Sequence, residues 1–550
     1  MIVLKLCQRN PAQTMELLNH HTEAPFADSL IIAYAYRNPG KLYDYAQLTD
    51  SLGNKIRSID NPLVKSISQM ASMKSGRFLF PFLDEIAHGG ITIEEIDKVK
   101  DDPESYFKLL VKTEISYRER MQKGDTPFVM KVLTEKLQSQ ARDPFINQIN
   151  ALHDQTNDAI RFKIIEHLSP IELYYLSVVD EEEIYTSSYL GVYKRIFERM
   201  EIPRSDTLLR WVGYDFYKKF IKLSAAYNEL DDFLRRMNPA EAEKLMQRFV
   251  SGLESTKTLE DAVDVANSFG SIDNAALRKL MQQQVQINLQ QNIRSGNRRG
   301  QTIYRLLNTI FSSMDSTAGK IDVSASLGIR PIYQMPASLL RDSSGRIIVE
   351  QFFYGDKDGV NSFNSFLGTF NNPNWKITRK EEWVEVKSVK GAPITIYANK
   401  PLDNEKDLDA AAQRDLRDYM DSLDITPTIV IHRGHSYHVK STIDQLPSSA
   451  QVVMLGSCGG YQSLNSVLTR CPEAQIIASK QVGADVINTA LITRMMEVLR
   501  QSKDLNWPQM WRELESKVSG ATHEKFDDYV PPYRNLGAIF IMAYNNEMAR

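Results

Sequence analysis

The sequence predicts an N-terminal all-α region followed by a C-terminal α/β sandwich with a mainly parallel sheet. The chain has 550 residues, more than one hydrophobic core accommodates, so several domains are expected. Apolar residues follow a helical period up to about residue 313, and after about residue 322 short apolar runs alternate with helical segments. We place the domains at residues 1–318 and 319–550, with a further break near residue 200 that would divide the helical region.

Seven Asn-Pro, Asp-Pro or Ser-Pro pairs mark predicted helix starts in the first region. Each pair places a capping side chain directly before a proline at the first helical position, where the missing N–H costs nothing. The pairs begin at Asn10, Asn38, Asn61, Asp102, Asp143, Ser169 and Asn238. The first spacings, 28 and 23 residues, are close to a helix-pair repeat and predict a repeat-like array. Two roles stay open for it: a docking surface for a protein partner, or a scaffold that covers the second domain.

The C-terminal part alternates strands with helices. The predicted strands are 346–354, 383–386, 393–398, 428–432, 451–455, 475–478 and 537–544. Helices are predicted from Phe363 to Phe370, from 405 to 423, and after each of the strands 451–455 and 475–478. In parallel sheets, ligands bind beyond the carboxyl ends of the strands, and Asp356, His435 and Cys458 all follow predicted strands.

Composition narrows the range of partners. The chain is 42% hydrophobic and 25% charged with a net charge of −3, so there is no electrostatic basis for binding nucleic acid. No apolar run approaches the roughly 20 residues of a membrane span, and the first residues do not form a signal peptide. Three cysteines cannot form a disulfide framework. Localisation stays open, because a cytoplasmic protein and an exported protein given without its signal would look the same.

A histidine and a cysteine follow two successive predicted strands. His435 lies in the corner after 428–432, and Cys458 lies in Gly-Ser-Cys-Gly-Gly after 451–455. A thiol becomes a strong nucleophile when an imidazole takes its proton, and a helix N-terminus after Cys458 would favour the thiolate. The ordinary alternative is a cysteine buried in the core.

The order of these corners resembles that of the caspase-like cysteine peptidases, a group that includes caspases, gingipains, legumains and separases. Arg433-Gly434-His435-Ser436 resembles the family's His-Gly motif, and Gly456-Ser457-Cys458-Gly459 resembles its motif of a small residue before the cysteine. The resemblance covers roughly residues 320–550. The chain departs from the family pattern at Ser436, where the family has a glycine.

The resemblance implies a cysteine endopeptidase that acts on protein or peptide substrates without a cofactor. It makes Cys458 the nucleophile that forms a thioester, His435 the general acid and base, and the backbone N–H groups of Ser436 and Cys458 the oxyanion hole. The alternative is a catalytically inactive, peptidase-like interaction scaffold, which Ser436 and the short segment between the two corners favour.

The resemblance also implies a substrate pocket near the end of the first strand. Asp356 or Asp358 would there bind an Arg or Lys side chain, so that cleavage follows basic residues. Their sequence context, Gly-Asp-Lys-Asp-Gly, is also typical of a turn. Asp485 would add an acidic wall to the cleft, or serve only as an acidic residue at a helix N-terminus.

Two further interpretations of the histidines stay open, a metal site and a different catalytic base. His432, His435 and His438 would form a metal site with Cys458 as fourth ligand, although no regular element places all three on one side. In the second interpretation, His432 rather than His435 is the catalytic base. His435 is preferred because Gly434 precedes it and it lies past the strand end.

Overall fold

The computed structural model describes residues 2–181, 183–314 and 322–549. The chain divides into two compact units, Met1–Tyr217 and Lys218–Arg550. This division falls at a different place from the boundary drawn on the sequence, because the helices between 218 and 313 belong to the same unit as the sheet. Within the described part of the chain, every helix is too short or too polar to cross a membrane.

The first unit is helical, as the sequence predicts. Its longer helices are Ile2–Arg9, Ala27–Arg37, Pro39–Ala46, Ser51–Ser58, Pro62–Ser72, Pro103–Gln122, Met130–Ala141, Pro170–Val178 and Thr186–Glu198. Asn61 caps its helix by accepting hydrogen bonds from the N–H groups of Leu63 and Val64 at 3.1 and 3.3 Å. Asp102 caps the next long helix through Ser105 N–H at 3.1 Å. The repeat-like character of these helices stays a prediction.

The prediction of a helix start at Asp143-Pro144 is wrong. These residues lie in a π-helical turn, Arg142–Ile146, that follows Met130–Ala141 directly and leads into Asn147–Ala151. A proline inside a helix lacks an N–H, and a widened turn is one way to accommodate it. The dipeptide therefore marks an irregularity within a helical segment.

The second unit begins with helices and continues into the sheet. The helix Tyr217–Ala226 starts at the boundary between the units, and the other longer helices of the second unit are Pro239–Val250, Glu260–Phe269, Ala275–Arg294, Arg298–Ser313, Lys357–Phe370, Leu408–Ser422, Asp485–Arg500, Trp507–Glu515 and Leu536–Met548. The sheet has eight strands: β1 Ile347–Phe353, β2 Trp375–Arg379, β3 Trp383–Ser388, β4 Ile394–Asn399, β5 Ile429–Arg433, β6 Val452–Leu455, β7 Gln475–Ser479 and β8 Tyr529–Val530.

The sheet is mixed, with a parallel centre and antiparallel edges. Its strand order is β8-β7-β6-β5-β1-β4-β3-β2. The strands from β7 to β4 run parallel, whereas β8, β3 and β2 pair antiparallel with their neighbours. A separate two-stranded pair joins Gln334–Met335 to Leu505–Asn506. The carboxyl ends of β1, β5, β6 and β7 therefore share one edge.

Helices cover both faces of the sheet, which makes the α/β sandwich. On one face, Ile431 and Met454 pack with apolar residues of the helices Lys357–Phe370 and Asp485–Arg500. On the other face, Val430 and Leu455 pack with a second set of helices that includes Leu464–Arg470 and Val439–Asp444. Strands buried on both faces read as continuous apolar runs, which explains why they were visible in the sequence.

The prediction of a strand at 537–544 is wrong. The segment belongs to the helix Leu536–Met548, which Asn535 caps by accepting a hydrogen bond from Ala538 N–H. Nearly every residue of this segment is buried, so the apolar run lacks the polar positions that would reveal a helical or a strand period. A buried helix and a buried strand therefore have the same sequence pattern here. The half-buried edge strand β2 was missed, because its pairing with β3 depends on the tertiary fold.

Replacing Asn61 with Ala is expected to accelerate amide exchange at Leu63 and Val64 about fivefold. Both N–H groups lose their acceptor, and such a cap is worth about 1 kcal/mol. Hydrogen exchange read out by mass spectrometry measures the effect. Asn38→Ala is the matched control, since Asn38 also precedes a helix-starting proline but makes no side-chain capping bond. Equal acceleration of the first turns in both variants would contradict this account of capping.

Candidate active site

The histidine and cysteine corners are neighbours because their strands are. In the parallel pair β5 and β6, His432 lies opposite Leu455, the last residue of β6. The amide of Gly456 then donates to the His432 carbonyl at 3.0 Å. Both strands therefore end at the same edge of the sheet, and His435 and Cys458 follow within three residues of these strand ends.

His432 is fully buried, and both of its ring nitrogens are engaged. Nδ1 lies 2.7 Å from Thr442 Oγ1, and Nε2 lies 3.3 Å from the His435 carbonyl oxygen. Burial lowers the pKa of His432 to about 3, so the ring is neutral near pH 7. Because both ring nitrogens are already engaged, the structure argues against His432 as the base and as a metal ligand.

His435 faces two carboxylates. Its Nε2 lies 3.7 Å from Asp356 Oδ1 and 3.5 Å from Asp358 Oδ2. Its ring stacks on Tyr437 with the ring centroids 5.1 Å apart. The Nε2 edge of the imidazole is therefore directed at two carboxylates.

Asp356 and Asp358 differ in their surroundings. Asp356 is largely buried, caps the helix Lys357–Phe370 through Gly359 N–H at 2.8 Å, and lies 3.3 Å from His438 Nε2. Burial raises the pKa of Asp356, but His438, the Gly359 N–H and His435 outweigh it, so the net pKa is lowered and the group is ionised. Asp358 is 68% exposed. Of the two predicted substrate-binding aspartates, Asp358 is the accessible one.

Cys458 is a half-buried thiol beside a backbone N–H. The amide of Gly483 donates to its Sγ at 3.4 Å. Gly483 has no room for a side chain, since an added Cβ would lie 2.5 Å from the Ser457 carbonyl carbon. Nothing in the sequence reveals where the Gly483 N–H points. Gly483 is therefore the residue that brings a hydrogen-bond donor to the thiol.

The pKa of Cys458 is raised, and this contradicts the expected thiolate. Burial is the largest cause; the Gly483 N–H lowers the pKa, and the charge of Asp358 raises it further. The helical segment after Cys458 begins with a short 3₁₀ turn, Gly460–Ser463, and the α-helix Leu464–Arg470 has only seven residues. So short a helix supplies little of the dipole on which the expectation depended. The resting thiol is protonated.

Asp485 is paired with a cation of the same chain. Arg433, only 3% exposed, forms an ion pair with Asp485 and donates to Ser362 Oγ at 3.1 Å. Ser362 in turn lies 3.2 Å from Asp485. The predicted acidic wall is thus partly neutralised by a buried arginine whose role was not foreseen, because an arginine at a strand end gives no sequence signal of burial.

Helices that precede the sheet support the cysteine corner. Gly459 N–H donates to the Gln481 carbonyl at 2.8 Å, and Gln481 Nε2 donates to the Tyr227 carbonyl at 2.7 Å. Tyr461 donates its hydroxyl to Asn267 Oδ1 at 2.7 Å. This side of the site therefore depends on the helical segment 218–313.

Within the described residues, one cluster brings together three potential metal-ligand atoms: Glu515, His523 and Asp527, at the surface. His432, His435 and His438 do not form such a cluster with Cys458. The structure thus favours hydrogen-bonding roles for these histidines.

Comparisons with protein-family models, with curated proteins and with solved structures gave no match. The geometry of the two corners is therefore the basis for proposing a function.

In a His435→Ala background, where no imidazole assists the thiol, Asp358→Asn is expected to increase the rate at which iodoacetamide alkylates Cys458 near pH 7.5 by about twofold to fivefold. Removing the negative charge lowers the pKa of the thiol, and only the thiolate reacts. The increase is expected to shrink in about 0.5 M salt, because Asp358 is exposed and its charge is screened.

Cys471 serves as the internal control, since it is buried and its thiol donates a hydrogen bond to the Pro447 carbonyl oxygen. An unchanged or slower reaction of Cys458 when Asp358→Asn is added to that background would refute the electrostatic coupling between the two groups.

Proposed function

We propose that this protein is a cysteine endopeptidase in which Cys458 is the nucleophile and His435 the general acid and base. The position of Asp358 carries the proposal. Its carboxylate lies 3.5 Å from His435 Nε2, and its charge also raises the pKa of Cys458. Coulombic effects weaken with distance, so one carboxylate that acts on both groups supports a shared cleft at this edge of the sheet.

The first chemical step follows from the protonation states. The resting thiol of Cys458 is neutral, so it gives its proton to His435 as its sulfur bonds to the scissile carbonyl carbon. The carbonyl π electrons move to the oxygen, which becomes an oxyanion. Asp356 and Asp358 stabilise the imidazolium that forms.

The second step releases the amine and then the acid. His435 returns the proton to the leaving nitrogen, the C–N bond breaks, and the acyl group remains on Cys458 as a thioester. Water then adds to the thioester while His435 takes one of its protons, and the thiol leaves with that proton. Each step uses the same imidazole, first as base and then as acid.

The oxyanion hole is proposed at the amides of Ser436 and Cys458. Ser436 is the first residue of the 3₁₀ turn Ser436–His438, so its N–H has no partner within that turn. The Cys458 amide belongs to the nucleophile and lies beside the Gly483 backbone, which is free of a side chain. Backbone N–H groups fixed in this way stabilise the charge that develops on the carbonyl oxygen.

A preference for cleavage after basic residues is part of the proposal. Asp358 supports it best, because this carboxylate is exposed beside the proposed catalytic groups. Asp356 already faces His435 and His438, and Asp485 faces Arg433. A substrate Arg or Lys would therefore reach Asp358 at the least cost in broken contacts.

An interaction scaffold is the second candidate function. The raised pKa of Cys458, caused mainly by burial, is the observation that favours it, because a thiol kept for catalysis is often held as a thiolate. The same fold would then bind a peptide in the cleft without cleaving it. Whether Cys458 attacks and cleaves the bound peptide distinguishes the two functions.

Cys458→Ala and His435→Ala are each expected to reduce hydrolysis of a fluorogenic peptide library by at least about a thousandfold, because each removes one half of the proton-transfer and attack machinery. In the wild-type chain, cleavage is expected after Arg or Lys.

Cys471→Ala is the matched control and is expected to retain the wild-type rate. The peptidase proposal fails if the Cys458→Ala variant cleaves as fast as the wild-type chain. Binding of library peptides without any cleavage, with Cys458 reacting no faster than Cys471, would favour the scaffold.

A further inference from the structure

A buried hydrogen-bond network holds the corner that carries His435, and the proposed chemistry does not use it. His432 Nε2 lies 3.3 Å from the His435 carbonyl oxygen, and His432 Nδ1 lies 2.7 Å from Thr442 Oγ1. The Tyr354 hydroxyl continues the network, at 2.7 Å from Thr442 Oγ1 and 3.2 Å from the His438 carbonyl oxygen. His432, Thr442 and Tyr354 are all at most 3% exposed.

The acceptors fix the direction of every bond in the network. A carbonyl oxygen can only accept, so His432 Nε2 carries the proton that goes to His435. The buried ring is neutral, with a pKa lowered to about 3 by desolvation, so its Nδ1 accepts. The Thr442 hydroxyl must then donate to Nδ1, so the single Tyr354 proton goes mainly to Thr442 Oγ1 at 2.7 Å and is shared with the more distant His438 carbonyl oxygen at 3.2 Å.

Tyr354 also contacts the corner through its ring. The ring stacks on His438 with centroids 3.9 Å apart and an interplanar angle of 8°. It lies so close to Gly434 that an added Cβ there would come within 2.4 Å of Tyr354 Cδ2. Residues on β5, after β1 and in the helix Val439–Asp444 therefore hold the segment 434–438 from three directions.

We propose that His432, Thr442 and Tyr354 are positioning residues that fix His435 with respect to Cys458. The proposal rests on the proposed function, since it concerns the imidazole assigned there as acid and base. His432 transfers no proton in any step. It holds the His435 carbonyl, and through the backbone it holds the ring beside Asp358.

The charged groups near the corner pair with residues other than His432, Thr442 and Tyr354. Asp356 and Asp358 face the His435 ring, and Asp356 also faces His438. Arg433, next to His432 in sequence, is paired with Asp485 on the other face of the sheet. The hydroxyls of Thr442 and Tyr354 are the polar groups whose removal loosens the corner without changing any charge.

Thr442→Val tests the proposal, because it removes the hydroxyl and keeps the shape of the side chain. The expected result is a fall in kcat of about tenfold to a hundredfold with KM unchanged, because small misplacements of a catalytic group have effects of this size. The pH–rate profile for alkylation of Cys458 by iodoacetamide is expected to move to higher pH, since a displaced His435 no longer assists ionisation of the thiol. Tyr354→Phe, which keeps the stacked ring, is expected to act in the same direction with a smaller effect.

Thr428→Val is the matched control. Thr428 lies at the opposite end of the β5 strand and donates an equally short bond, 2.7 Å, to the Leu340 carbonyl. This variant is expected to leave the alkylation profile unchanged. His432→Gln, which retains a side-chain N–H donor, is expected to recover more activity than His432→Leu.

The inference is overturned if Thr442→Val and Tyr354→Phe both match Thr428→Val in kcat and in the alkylation profile. It is also overturned if His435→Ala leaves that profile unchanged, because the imidazole would then not act on the thiol. A profile that depends on His435 and on Thr442, in a chain that hydrolyses no peptide, would support the positioning role while the endopeptidase proposal fails.

Discussion

The parallel pairing of β5 with β6 is the constraint on which the rest of the site depends. It places His432 opposite Leu455, so the next residues of both strands leave the sheet side by side. Ile431 and Met454 anchor this register in the core, because a slip of one residue would turn their side chains to the other face. Two side chains 23 positions apart in the sequence thereby reach one edge without a long loop.

Burial at that edge determines the protonation states more strongly than any single charge does. It keeps His432 neutral, keeps the Cys458 thiol protonated, and leaves Arg433 dependent on Asp485. For the proposed reaction, these states fit a neutral thiol that transfers its proton during attack better than a preformed thiolate. In the proposed function, the two carboxylates near His435 stabilise the imidazolium that forms during attack.

Much of the fold could be predicted from the sequence, because strands buried on both faces are continuous apolar runs that end at polar corners. β5 and β6 were predicted within one residue of their bounds. The run 537–544 has the same composition and is helical, since its burial on all sides erases the period that would identify it. Asp143-Pro144 has the sequence of a helix start, yet the surrounding chain continues through it as a π turn.

The candidate site could be predicted only as a set of residue types at strand ends. The sequence shows that His435 and Cys458 follow neighbouring apolar runs, but it cannot show that the Gly483 N–H points at the thiol. Nor can it show that His432 is closed off by Thr442, since both contacts arise from the packing of separate segments. Long-range contacts of this kind also fix the partners of Asp356 and Asp485.

Trapping the acyl-enzyme tests the central claim most directly. The chain would be mixed with a peptide substrate, quenched in acid within the first turnover, digested, and analysed by mass spectrometry. We expect Cys458 to carry the acyl part of the peptide as a thioester, and hydroxylamine to remove it. Turnover of the peptide with no acyl group on Cys458, or with the acyl group on another residue, would contradict it.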